Sequence, residues 1–210
     1  MEYMTVKQEG HSTYTEKKSE FLSYVRPVTT EEEALSFIGE IKSMNADATH
    51  NVYAYVVREN NLQRYTDDGE PSGTAGMPVL DAIRKRGLVD VAVVVTRYFG
   101  GTLLGTGGLV RCYGKCAVQG ITAAVPIIRR LCEIYEVECD YTQLGKVQYA
   151  ISTSEYRLED TVYEEDVRLI VCVEQGNGQR FINEMVEVCA GKVKIKKTEE
   201  KYIDIAIEEK

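Results

Sequence analysis

The sequence predicts an α+β protein of two domains, the second of them ferredoxin-like. Three observations carry that prediction. Strand-like and helix-like apolar spacings alternate along the 210 residues. The stretch from Leu131 to Ile207 reads strand, helix, strand, strand, helix, strand. Composition also shifts near Pro126: residues 1–131 hold 15 Lys+Arg against 15 Asp+Glu, while residues 132–210 hold 10 against 18. The whole net charge of −8 therefore lies in the C-terminal portion. With 44% hydrophobic residues the chain can build a core, which excludes disorder as its default. We expect domains at 1–131 and 132–210, joined near residues 124–132.

The elements follow from local chemistry. Phe21, Leu22, Tyr24 and Val25 are strand formers within Glu16–Val28, and Pro27 marks the end. Thr29 or Thr30 can cap the next helix, with Glu31, Glu32 and Glu33 suited to its first turn. Ala34, Leu35, Ile38 and Ile41 give that helix its apolar face. Asn51–Arg58 reads as a strand. Tyr65–Pro78, rich in turn formers, reads as a loop. Val79, Leu80 and Ile83 predict a helix over Met77–Arg86, with Pro78 tolerated in its first turn. The apolar run within Val89–Thr96 predicts a strand buried on both faces. A glycine-rich loop, Gly100–Gly108, leads into a helix over Leu109–Ala123. In the tail, strands are expected over Leu131–Glu138, Asp160–Asp166 and Val167–Glu174, with a last strand or hairpin in Lys192–Ile207. Helices are expected over Leu144–Ile151 and Arg180–Cys189.

Several function classes are excluded at this level. An acidic chain does not suit a dedicated duplex-DNA binder, which needs clustered Lys and Arg. Met1–Lys7 has no basic region followed by an apolar stretch, so no secretory signal is expected. The apolar run Val91–Val95 is far short of the ~20 residues of a membrane span. The six cysteines, Cys112, Cys116, Cys132, Cys139, Cys172 and Cys189, form no Cys-x-x-Cys pair. The histidines are two, His11 and His50, so no zinc site is expected. Reduced, buried thiols in a cytoplasmic protein are the expectation, with no cofactor, no metal and no membrane partner.

Two constellations can carry chemistry. Arg97-Tyr98-Phe99-Gly100-Gly101-Thr102-Leu103-Leu104-Gly105-Thr106-Gly107-Gly108-Leu109-Val110-Arg111 places five glycines in nine residues between a buried strand and a helix. Such turns and helix starts direct backbone N–H groups at anions, and Arg97 and Arg111 can add charge-assisted bonds to phosphate. The same glycines also serve tight turns and close packing. The motif lacks the Lys-Ser/Thr ending of a P-loop and the Gly-x-Gly-x-x-Gly register of a dinucleotide site. Asp67, Asp68 and Glu70, beside Thr74, can hold Mg²⁺ or supply a base, or can form an ordinary solvated turn. His50 stands at a strand start, as a hydrogen-bonded end residue or a functional group. Lys17, Lys18 and Arg84, Lys85, Arg86 are short basic clusters, read first as solvated faces.

Lys18-Ser19-Glu20-Phe21, Ala48-Thr49-His50-Asn51 leading into Tyr53-Ala54-Tyr55, Asp67 through Pro78, and Arg97 through Arg111 together resemble the YigZ/IMPACT family. The resemblance covers essentially the whole chain. It implies an N-terminal domain with the ribosomal-protein-S5 domain-2-like fold and a C-terminal domain similar to domain V of elongation factor G. Eukaryotic members are translation regulators that compete for the activator of the amino-acid-starvation kinase. That role uses an additional RWD domain, which has no counterpart in this sequence. No catalytic residue set transfers. The family often has Cys where Val52 stands, so no Cys–His pair is expected there.

Three readings follow. The first is a non-catalytic factor in translation or its control, with RNA, the ribosome or a translation-associated protein as partner. The alternative is a small-molecule enzyme that binds phosphate or nucleotide with the glycine-rich loop. A third makes the two motifs a structural junction, with Asp68 or Glu70 paired to Arg97 or Arg111. The expected site is one groove near His50. There Arg97 and Arg111 hold anionic groups, Gly100, Gly101, Gly107 and Gly108 supply backbone donors, and Gly105 belongs to the same anion site. Asp68 and Glu70 orient those arginines or a metal, with Asp67 and Thr74 in the same site.

Overall fold

In the computed structural model, which describes residues 2–207, the chain begins β1 (Glu2–Val6), β2 (Gly10–Glu16), β3 (Ser19–Pro27), α1 (Glu31–Met44) and β4 (His50–Val57). There follow β5 (Leu62–Thr66), α2 (Gly76–Lys85), β6 (Val91–Tyr98), α3 (Thr106–Ala123) and β7 (Pro126–Cys139). The tail is α4 (Tyr141–Ser152), β8 (Arg157–Tyr163), β9 (Val167–Glu174), α5 (Gly178–Val188) and β10 (Lys194–Ala206). Two units result, built chiefly from Tyr3–Ile128 and Arg129–Ile205.

The first unit is an antiparallel sheet in the order β2-β3-β6-β4-β5. Alternation along the central strands divides its core into two layers. Phe21, Val25, Val52, Ala54, Val91, Val93 and Val95 pack on one face with Val79, Ile83, Tyr113 and Ile121 of α2 and α3. Tyr55, Val57, Ala92 and Val94 point the other way, onto Ala34, Phe37, Ile38 and Ile41 of α1. The unbroken apolar run of β6 is thus explained: helices cover both faces of this strand. Thr30 caps α1, its hydroxyl accepting from the Glu33 N–H at 3.2 Å.

In the second unit β10, β7, β9 and β8 lie side by side, with β9 antiparallel to both neighbours. With α4 and α5 in their places this is the ferredoxin-like split-βαβ arrangement. Phe181 and Met185 of α5 and Val147 of α4 share its core with Val137, Leu169 and Val171. The mixed α+β class and the order of the tail are as the sequence predicts. Strands β1, β2 and β5 are additions. The polar composition of β2 and β5, both at sheet edges, conceals their alternation. Among the described residues no helix is long and apolar enough to cross a membrane, and all six cysteines are buried and free.

Candidate functional site

The sheet register brings the first group of residues together. Arg97 pairs with His50 of β4 on one side and with Phe21 of β3 on the other. By strand alternation Ser19, Phe21, His50 and Arg97 share the α2/α3 face, at the end of the sheet where α3 begins. Arg97, 5% exposed, lies beneath that end of the helix layer. Its Nη1 donates to Glu70 Oε1 at 2.6 Å and its Nη2 to the Ser19 hydroxyl at 3.3 Å, while Nε has no hydrogen-bond partner among the described residues. Tyr113 of α3 donates to the same Glu70 oxygen at 2.8 Å. Burial and the adjacent carboxylate push the Tyr113 phenol far above the usual range, so it stays a donor. Breaking a buried pair such as Arg97–Glu70 by removing one partner costs about 3–5 kcal/mol.

His50 is fixed by the turn that follows β5. Its Nδ1 is 2.8 Å from the Asp68 carbonyl, an oxygen that only accepts, so Nδ1 carries the hydrogen. In the neutral ring Nε2 is then an acceptor, 3.8 Å from Glu70 Oε1. Asp68 also takes the Asn51 N–H at 2.6 Å and the Lys42 ammonium at 3.2 Å. Asp67 is turned the other way and accepts from the N–H groups of Gly73, Ala75 and Gly76 at 2.8, 3.1 and 2.8 Å. This satisfies the start of α2, whose N-cap Ala75 has no side-chain acceptor. The Thr74 hydroxyl closes the loop onto the Pro71 carbonyl at 2.7 Å. The three carboxylates are therefore directed to different partners, and among the described residues no group of His, Cys, Asp and Glu is placed to hold a metal ion. Glu70, 8% exposed, is no part of a solvated turn.

A cavity of about 420 Å³ opens over this network. Thr49, His50, Glu70, Pro71 and Arg97 form its polar side. Phe99, Leu103, Leu104, Gly105, Thr106 and Leu109 form the other. Phe99 is 45% exposed and Leu103 83% exposed, so the wall is apolar where it meets solvent.

Arg111 lies elsewhere. It lines a second hollow of about 330 Å³ with Tyr14, Glu16, Lys17, Leu104, Gly108, Cys112 and Lys115. Leu104 is common to the two. The expectation of a single groove holding both arginines is corrected: Arg97 is turned under the sheet end by Glu70, while Arg111, one turn into α3, faces outward. Arg111, Lys17 and Lys115 are exposed and have no ion pair among the described residues, unlike Arg26, Arg58 and Arg97. Lys115 lies 4.3 Å from the Tyr14 ring centre. Glu16 is the single acid in the hollow and accepts from the Tyr14 hydroxyl at 2.8 Å, which raises that phenol.

The glycines divide by role. Gly100 is a packing residue and not the expected ligand donor: a Cβ there would overlap the Lys18 backbone, and its N–H already donates to the Ser19 hydroxyl at 3.1 Å. Gly101 and Gly105 have φ of +80° and +72° and turn the chain into α3. Gly107 and Gly108 belong to the first turn of that helix, which starts at Thr106 and has no side-chain cap. Lys17 and Lys18 form the two-residue loop between β2 and β3, both with positive φ (45° and 67°). Sequence reasoning missed Tyr113, Ser19, Phe99 and Lys115. Tyr113 alone had a readable signal, on the α3 face with Leu109, Cys112 and Cys116.

Comparison with known proteins gives the setting. The Impact N-terminal domain family matches residues 17–121, which contain most of both hollows, and a domain of unknown function (DUF1949) matches residues 137–192. The IMPACT family member YvyE of Bacillus subtilis is 42% identical over 206 residues, 98% of this chain and 95% of that protein. YigZ of Escherichia coli is 29% identical over 187 residues, 88% of this chain and 92% of its own. Protein IMPACT of Mus musculus is 38% identical over 98 residues, 43% of this chain and 30% of the mouse protein. A solved crystal structure of a hypothetical protein aligns with a TM-score of 0.60 at 26% identity, covering 100% of this chain and 98% of that one.

Proposed function

Because this chain belongs to the IMPACT family, we propose that it is a non-catalytic, cytoplasmic factor linked to regulation of translation that binds RNA, free or on the ribosome. The observation that carries this reading is the basic hollow: Lys17, Arg111 and Lys115 face one concavity with Glu16 as their single acidic neighbour. Cations left without an ion pair among the described residues are suited to phosphates, whose neutralisation releases condensed counterions. The uncapped first turn of α3 adds donors and dipole of the same sign, with Gly108 in the wall of the hollow. Lys17 stands in the tight two-residue turn between β2 and β3, whose positive φ values are those such a hairpin requires, so its ammonium is held at the rim of the hollow. Here Arg111, not Arg97, is the arginine for phosphate. The domain of residues 1–131 carries the surface, and the acidic domain of residues 132–210 does not.

The test is titration of the full chain with labelled single-stranded RNA at several salt concentrations. Three phosphate contacts give a log–log slope of about −2, since each is worth roughly −0.7 on a single strand. Absence of binding at low salt refutes the reading.

A further inference from the structure

The cavity beside the basic hollow is not used by phosphate contacts. Its charges are already balanced, because Arg97 and Glu70 pair at 2.6 Å, so it offers no net attraction for a second anion. What it presents instead are acceptors. With Nδ1–H on the Asp68 carbonyl, His50 Nε2 is left as that tautomer's acceptor with no hydrogen bond among the described residues, and Glu70 accepts its two hydrogen bonds on Oε1, leaving Oε2 with none. Around them stand apolar groups, and one is aromatic. The Arg97 guanidinium sits 5.4 Å from the Phe99 ring centre, yet 45% of Phe99 is exposed at the cavity mouth. An exposed ring beside a concavity with open acceptors suits a planar ligand with N–H donors on its edge. The volume of about 420 Å³ lies within the range of ligand pockets.

We infer that this cavity receives one unstacked nucleobase of a single-stranded RNA whose adjoining phosphates lie in the Lys17–Arg111–Lys115 hollow, with Leu104 as the shared wall and a base bearing an exocyclic amine preferred. The inference rests on the RNA reading above and adds base choice to it. Stacking on Phe99 is indifferent to base identity, since every base has a π-face. Discrimination comes from the edge. The amine of adenine or cytosine donates to Glu70 Oε2 or His50 Nε2, whereas the corresponding oxygen of uracil would set acceptor against acceptor.

The experiment is fluorescence anisotropy on the full chain with labelled oligoadenylate, oligocytidylate and oligouridylate, in wild type, Phe99→Ala and His50→Ala. Expected are affinities about tenfold higher for the first two oligomers than for oligouridylate. Phe99→Ala, at a half-exposed position that folding tolerates, should weaken all three about tenfold at an unchanged salt slope, and His50→Ala should narrow the preference. Equal, salt-dependent binding of all three oligomers with Phe99→Ala neutral overturns the base cavity while leaving the phosphate surface standing. No binding of any oligomer at low salt overturns both.

Discussion

Arg97 ends a buried strand and Arg111 stands one turn into the following helix, with the same glycine-rich segment between them. Arg97 is 5% exposed and held by Glu70; Arg111 is exposed and unpaired among the described residues. A guanidinium under a sheet end must be neutralised, because desolvating an unpaired charge costs far more than the fold can supply. Once neutralised, it organises the cavity above it: it positions Glu70, which in turn takes Tyr113. A guanidinium on the helix surface keeps its field for something outside the protein. Residue type and neighbourhood in sequence are the same; burial decides which arginine is tied into the fold and which is left to solvent.

The sharpest way to break this comparison is to remove one partner on each side. Glu70→Ala leaves Arg97 charged and buried with no carboxylate beside it, and should destabilise the first unit by about 3–5 kcal/mol in urea denaturation. Arg111→Ala should stay within about 0.5 kcal/mol of wild type. Similar losses for both would show that the two arginines do not differ as described. Next in size is Asp67→Ala, which strips an acceptor from three backbone N–H groups at the start of α2; a loss of about 2 kcal/mol is expected in the same measurement.

The strands and helices of the core were legible because their apolar periodicity is strong: β6 between two helix layers, α1 with its Thr30 cap, the strand–helix order of the tail. β2 and β5 were not, since edge strands carry polar residues that mask alternation. The start of α3 was misplaced to Leu109 because Gly107 and Gly108 are poor helix formers, and packing of Leu109 and Cys112 overrides that propensity. At the site, the co-location of His50, Glu70 and Arg97 was expected from their motifs, and the Glu70–Arg97 pair was among the readings. The separation of Arg97 from Arg111 was not, because it depends on which way β6 and α3 turn their side chains. Phe99 and Lys115 acquire meaning only from the hollows they line.

A pH series sharpens the buried side of the comparison. Burial pushes the Cys116 thiol up to about 12, against an unfolded value of roughly 8.5. Its contribution is fully present below pH ~8.5. Above that the unfolded chain releases its proton while the folded one does not, so stability falls as pH rises toward 12. Cys116→Ala should flatten that alkaline decline relative to wild type in urea midpoints measured from about pH 8 to 10. The smallest effect belongs to the exposed side. Glu16→Gln removes the single acid of the basic hollow and should raise affinity for single-stranded RNA about twofold to fivefold, read by anisotropy.

The most direct measurement compares the full chain with its Arg111→Glu/Lys115→Glu variant in RNA titrations between ~50 and 200 mM salt. The expected result is at least a tenfold loss of affinity, a log–log slope shallower by about 1.4 units, and unfolding within ~0.5 kcal/mol of wild type. Affinity and slope equal to those of the unaltered chain would contradict the assignment of the basic hollow as its RNA-binding surface.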